Sequence, residues 1–328
     1  GKLDAFRARV ETRGVMKLLT AGFFLLPVGA PRYGRERFGI GPGGPMDTRA
    51  LRFNQLLLGN REDDRALEMA GPLPSFCFEE AVSVAITGNP VKIFLDGHPL
   101  AMRRSFNVRP GSALTFERIE AGGWTYLGVA GGIEGIANGE VQLKAPRLND
   151  WSAFLPESLY CERSKDEPIR VVAGPEWDWF DTRARRRFFE QSYRVDSTDR
   201  LGCRLKGEPV YTRKPKELIS SPVSAGVVQI TGGGQPVVLM AGRPTIGGYP
   251  RIAFLAPTDL SRLAQTAEGQ AVRFREITIT EAERTYREET EWMARLERVL
   301  ENQREPLLYS RSVRVNGHPF YVQITPTD

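Results

Sequence analysis

Between Leu239 and Ala253 the chain reads LMAGRPTIGGYPRIA and offers a guanidinium at Arg243, a hydroxyl at Thr245 and a phenol at Tyr249. The strand formers Val237, Val238, Leu239 and Met240 lead into it, and the Gly247/Gly248 pair supplies backbone free to take a positive φ or approach a ligand closely. Donors of these kinds on a Gly/Pro loop suit a polarised carbonyl or an anionic oxygen. The segment reads as the lip of a pocket, with an ordinary strand connection facing water as the equal alternative.

A second segment, FGIGPGGPMDTRALRFNQLLL from Phe38 to Leu58, is a Gly/Pro-dense loop followed by apolar residues at helical spacing. Asp47 stands where a helix N-cap belongs. Two carboxylates are candidates for base chemistry, each with a structural alternative: Asp47 as that cap, and Glu68, in a sheet-like stretch, as the buried partner of an arginine. Gln229 is a candidate for substrate hydrogen bonds, or a strand residue facing solvent.

These groups must be carried by β structure. From Ala66 to Ala130 short apolar runs alternate with turn residues such as Asp96-Gly97 and Pro110-Gly111, the tempo of a barrel or sandwich. A polar stretch from Gly135 to Asp166 precedes a second unit, opening with the strand IRVVAG and a helix from about Pro175 to Gln191, then returning to strands through Gln229–Ala253 and Gln270–Ile277. After Thr278 a long amphipathic helix is expected, with Thr280 as its cap. Asn316-Gly317 then marks a hairpin. The expected organisation is a first β-barrel domain over 1–150, a second over 151–278, and a helix with hairpin over 279–328.

Several chemistries find no support. No GxSxG occurs, and His98 and His318 sit beside turns, so a serine hydrolase is not indicated. Gly232–Gly234 is followed by Gln235-Pro236, so it is a turn rather than a Walker loop. Cys77, Cys161 and Cys203 are scattered and read as buried thiols, neither disulfides nor metal ligands. The net charge of +5, from 45 basic and 40 acidic residues, is too small to argue for nucleic acid. No apolar run reaches the roughly 18 residues of a membrane span. A soluble cytoplasmic protein is expected.

Taken in order, GPMD, LLGN, ALEMAGP, VAITG, VAGGI, GPEWDWF, STDRLGCRLKG, GGYPRIA and TDLSRLAQ resemble the allophanate hydrolase subunit 2, or urea amidolyase-related, family of biotin-dependent carboxyltransferase-type proteins. That family includes the C component of bacterial 5-oxoprolinase, and KipA. The resemblance runs from about Gly14 to Glu276. It implies a mainly β protein of two cyclophilin-like β-barrel domains with flanking helices. It implies work on a small amide or lactam, as the C component of an ATP-dependent 5-oxoprolinase-like complex. The alternatives are a urea carboxylase-type carboxyltransferase using biotin carried by a partner, or a non-catalytic KipA-like regulator.

The partners implied are a subunit 1-like (KipI-like) protein and an ATP-using subunit, through which ATP or carboxybiotin would arrive. Lys17, in VMKLL, lacks the setting of a biotin attachment site, so no covalent cofactor is expected. In this reading Arg243 and Tyr249 are the catalytic donors and Asp47 or Glu68 the base. Thr245, Gln229, Arg32, Gly247 and Gly248 contact substrate. The chain departs from the family's patterns at several of these places. Its TxQDxGR segment becomes FLLPVGAPR, keeping Arg32 but placing Val28 and Gly29 where Gln and Asp are usual. Gly43 replaces a serine, Pro244 and Ile246 replace polar residues, and GIANGEVQLKAPRLND replaces a serine- and arginine-rich loop.

Overall fold

The computed structural model describes residues 14–118, 122–155, 167–213, 218–306, 309–315 and 318–324. The first β unit has two antiparallel sheets. In spatial order the seven-stranded sheet runs Ile133–Ala137, Glu140–Leu143, Val15–Thr20, Ser75–Phe78, Ala113–Arg118, Val91–Leu95 and His98–Leu100. The five-stranded sheet runs Phe24–Val28, Ala66–Ala70, Thr125–Val129, Val82–Gly88 and Ser105–Val108. Strand periodicity places the core between them: Val91, Ile93 and Leu95 are buried while Lys92 is exposed. They join Met16, Phe76 and Leu127 in one apolar cluster.

Val82–Gly88 breaks the alternation and is buried throughout. Its second face is covered by helix α1 (Thr48–Leu58), whose Asn54 Nδ2 donates to Ala85 O at 2.8 Å, while Thr87 Oγ1 donates to Ala50 O at 2.7 Å. Gly128 is required under this helix, because a Cβ there would overlap the Asn54 side chain.

The second β unit is an eight-stranded sheet ordered Ala271–Val272, Tyr193–Thr198, Gly202–Lys206, Pro236–Leu239, Val227–Ile230, Arg251–Leu255, Ile169–Ala173 and Phe274–Glu276. Its two outermost strands are consecutive in the chain. Val272 pairs with Tyr193 on one side, and Phe274 pairs with Ile169, in parallel, on the other. One short segment therefore joins both ends of the sheet and curls it into a nearly closed barrel. Helix α2 (Thr182–Glu190) covers it, and its buried Phe188 stacks on Phe274 at 4.7 Å. The helix expected from Pro175 is interrupted. A 3-10 turn spans Trp177–Trp179, Phe180 is extended and buried, and Asp181 caps a new start by accepting from Ala184 N at 2.7 Å.

Helix α3 (Leu260–Ala264) is short, whereas helix α4 (Ile279–Asn302) is the long element expected near the end of the chain. Its cap is Thr278 rather than Thr280. Only Thr278 stands three residues before Glu281, and the two form a reciprocal capping box. Helix α4 returns to the first unit, burying Leu296 and Leu300 with Phe53 and Leu57 of α1. Trp292 meets the Phe53 ring at 5.8 Å, and Arg49 lies over both rings. Glu305–Pro306 then pairs with Trp151–Ser152. The strands Tyr309–Val315 and His318–Ile324 form the expected hairpin, with Val315 opposite His318; its Asn316-Gly317 tip lies outside the described residues. No helix among the described residues is long and apolar enough to cross a membrane.

Cys203 is buried and burial pushes its thiol up to about 11, Cys77 is half-buried, and Cys161 lies outside the described residues.

Candidate functional site

The Gly/Pro loop before α1 needs its glycines. Gly43 and Gly44 take φ of 67° and 93°, the left-handed region, and a Cβ on Gly44 would lie 2.7 Å from Pro31 Cγ. Asp47 ends the loop as the N-cap of α1, its Oδ1 accepting from Ala50 N at 2.9 Å. The loop runs along the seam between the two β units and touches the second unit twice. Gly41 packs against the Arg243 carbonyl, and Gly44 O accepts from Arg200 Nη2 at 2.7 Å.

Beneath the loop lies a continuous buried polar network. Arg200 Nη1 pairs with Glu68 Oε1, whose side chain is fully buried. Glu68 Oε2 accepts from Met46 N at 2.6 Å and from the Tyr126 hydroxyl at 2.7 Å. That hydroxyl accepts in turn from Asp47 N at 2.8 Å. Asp47 Oδ2 accepts from Gln265 Nε2 at 2.8 Å, and Gln265 also bonds both backbone groups of Trp124. Burial pushes the Glu68 carboxyl above the usual carboxylate value, against the pull of Arg200. Burial likewise raises Asp47, and it lifts the Tyr126 phenol well up, with the Glu68 and Asp47 charges adding to the effect. Both carboxylates named from the sequence are therefore in one network, each with its hydrogen-bonding capacity engaged by the fold. Glu68 is the partner of an arginine, and that arginine comes from the other unit.

The second group surrounds the GGYP lip. Ser221–Pro222 pairs with Ile246–Gly247, and Val223 N donates to Thr245 O at 3.1 Å. Gln229 is buried rather than facing solvent, and its Nε2 reaches Tyr249 O at 3.4 Å. Gly247 makes room for it, since a Cβ there would collide with the Gln229 amide. Thr245 is half-buried, Gly248 is exposed beside Ser220, and the Tyr249 side chain is half exposed. Arg251 anchors the following strand through paired bonds to Glu176 at 2.8 and 2.7 Å.

Arg243 lies between the two groups. It is 9% exposed, its Nε donates to Val223 O at 3.3 Å, and burial lowers its pKa while Tyr33 and Glu36 of the first unit pull the other way. Arg32 extends an exposed side chain, and its N–H closes the 32–42 loop on Pro42 O at 2.8 Å. Val28 is packed with Met46 and Ala50 in the core. The seam residues that sequence reading left out are Arg200, Tyr126 and Gln265. Arg200 and Gln265 fall within STDRLGCRLKG and TDLSRLAQ, which were legible as motifs but not as partners of Glu68 and Asp47.

Among the described residues no cluster of three or more His, Cys, Asp or Glu has the geometry to hold a metal ion. Lys17 lies in a strand and pairs with Glu79. The arrangement presents a buried carboxylate network that fixes one loop, and beside it a guanidinium, a hydroxyl and a carboxamide on the facing lip.

The family described as "Carboxyltransferase domain, subdomain A and B" matches residues 38–138 and 136–276. The chain is 30% identical over 314 residues to the C component of 5-oxoprolinase from Escherichia coli (strain K12), covering 88% of this chain and 100% of that one. It is 26% identical over 284 residues to urea amidolyase of Saccharomyces cerevisiae, covering 74% of this chain but 15% of that one. Among solved structures, TTHA0988 superposes with a TM-score of 0.71 at 26% identity, over 80% of this chain and 56% of that chain. The chain thus spans little more than half the length of that solved protein.

Proposed function

Because the chain belongs to the carboxyltransferase domain family, subdomain A and B, we propose that it is the C component of an ATP-dependent 5-oxoprolinase-like amidohydrolase. It works with a subunit 1-like (KipI-like) protein and an ATP-using partner, through which ATP reaches the reaction. The observation that carries this reading is the match over the whole length of a 5-oxoprolinase C component, against a small fraction of urea amidolyase.

Opening a lactam adds water to the amide carbon, which moves the carbonyl π pair onto oxygen; collapse then breaks the ring C–N bond, whose electron pair goes to nitrogen together with a proton from the attacking water. Arg243, Thr245 and Tyr249 are the proposed donors to that oxygen. Gln229, Arg32 and the backbone of Gly247 and Gly248 are the proposed substrate contacts. For Asp47 and Glu68 the role of an open base gives way to a positioning role. Both are buried and fully bonded, and through Met46 and Asp47 they set the loop that faces Arg243.

Reconstitution with the partner subunits should give ATP turnover that depends on 5-oxoproline and is lost in Arg243→Ala. Turnover that instead needs urea and a biotinylated carrier would transfer the assignment to a urea carboxylase-type component. A second reading, a non-catalytic KipA-like regulator, is favoured by one observation: Asp47 and Glu68, the two carboxyls nominated as the base, are both buried and engaged in hydrogen bonds of the fold. Stable partner binding with no turnover on any amide would select it.

A further inference from the structure

The two β units also enclose a cleft of about 610 Å³ that neither the Gly41–Asp47 loop nor the Arg243–Tyr249 lip lines. Its size and its place between two units are those of a small-molecule site. The wall from the first unit is aromatic. Phe23 is 80% exposed and lies on the bare backbone of Gly71, where a Cβ would come within 2.7 Å of it; Phe24 meets Trp124 edge-on at 5.3 Å. From the second unit comes Leu201, 53% exposed. The two units thus give one cavity a mainly apolar lining.

The charges select the ligand. Arg200 lines the cleft, but its guanidinium is taken by Glu68 and Gly44 O. Asp199 accepts from Arg204 at 3.0 Å and from the backbone of Leu201 and Gly202. Glu268 remains, exposed and with no ion pair among the described residues. Among the described residues the unbalanced charge of the cleft is therefore negative, which disfavours an acid such as 5-oxoproline as its occupant.

We infer that this cleft binds a small organic cation, a primary ammonium compound bearing an aromatic or branched apolar group. The apolar group lies against Phe23 and Leu201 and the ammonium is directed to Glu268. The inference does not depend on the proposed activity. Because both units supply walls, an occupant binds the assembled seam and stabilises it.

The test is calorimetric titration of the full chain with 2-phenylethylammonium, 2-phenylethanol and phenylacetate, with thermal midpoints measured in parallel. The amine should bind saturably, about tenfold tighter than the carboxylate, and raise the midpoint. Glu268→Gln should abolish the preference for the cation while the alcohol still binds. Leu201→Trp, which fills the cleft from an exposed position, should abolish binding of all three with the unliganded midpoint unchanged. Phe23→Ala, also at an exposed site, should weaken all three. Equal or tighter binding of phenylacetate, retention of amine binding in Leu201→Trp, or no saturable binding at millimolar concentrations would overturn the inference.

Discussion

Arg200 and Glu68, separated by 132 positions in the chain, form an ion pair across the seam between the two β units, and the Glu68 side chain has no solvent exposure. The pair and its neighbours Tyr126, Asp47 and Gln265 tie the second unit to the loop that opens α1. Removing one member leaves the other buried and uncompensated. Arg200→Met should cost about 3–5 kcal/mol in denaturant unfolding, and combining it with Glu68→Gln should restore part of that loss. Hydrogen exchange at Met46 and Asp47 should accelerate in the single variant. Unchanged exchange there would separate the pair from the loop.

The glycines of that loop allow a simple measurement. Gly44→Ala combines a left-handed φ with a clash on Pro31, whereas Gly43→Ser places a side chain at a left-handed φ with open space around it. Gly43→Ser should cost about 1 kcal/mol from backbone strain alone. Gly44→Ala should cost more, read as a lower denaturation midpoint.

Two buried carboxyls should shift stability with pH in opposite senses. Burial raises Glu68, so its contribution is fully present below the ordinary glutamate value and declines as pH rises through the raised one. Burial also pushes Asp259 up, but hydrogen bonds from Arg170 at 2.6 and 3.1 Å outweigh it and hold the group below its usual value. Its contribution is present above the ordinary aspartate value and is lost as pH falls. Asp259→Asn should therefore remove part of the acid-side fall in stability, and Glu68→Gln part of the decline toward neutral pH, in unfolding midpoints measured across pH.

On the proposed activity, Arg243→Ala in the reconstituted complex should lower turnover by about two orders of magnitude. Tyr249→Phe, at a half-exposed position, should reduce turnover with an unaltered melting temperature. Equal activity in both variants would move the donors elsewhere.

The return of α4 onto α1 is open to direct measurement. Leu296→Ala empties a fully packed position beside Phe53 and Leu57 and should cost about 2–4 kcal/mol in chemical denaturation. Glu289 and Glu297 pair with Arg49 and Arg52 near the surface, and replacing either glutamate by Gln should cost under about 1 kcal/mol.

What could be read from the chain was local. The cap at Asp47, the alternation of Val91, Ile93 and Leu95, and the turn at Asp96-Gly97 with its φ values of 52° and 79° each depend on neighbours a few residues away. The cap of α4 moved from Thr280 to Thr278 because the reciprocal bond to Glu281 fixes the spacing. The site was legible as motifs and not as a constellation. Gln265 reaches Asp47 across 218 positions, and no local period encodes such a contact. Gln229, which alternation left open between solvent and pocket, is buried because Gly247 leaves space for its amide.

Helix α4 also sets a timetable for synthesis. Its leucines are translated after every strand of both barrels, yet they cover Phe53 and Leu57 on a helix made near the start. A chain emerging N-terminus first carries an uncovered greasy stripe on α1 until residues 292–300 leave the ribosome tunnel. Termination between residues 277 and 291 leaves both β units complete with the α1 stripe uncovered, so such fragments should self-associate.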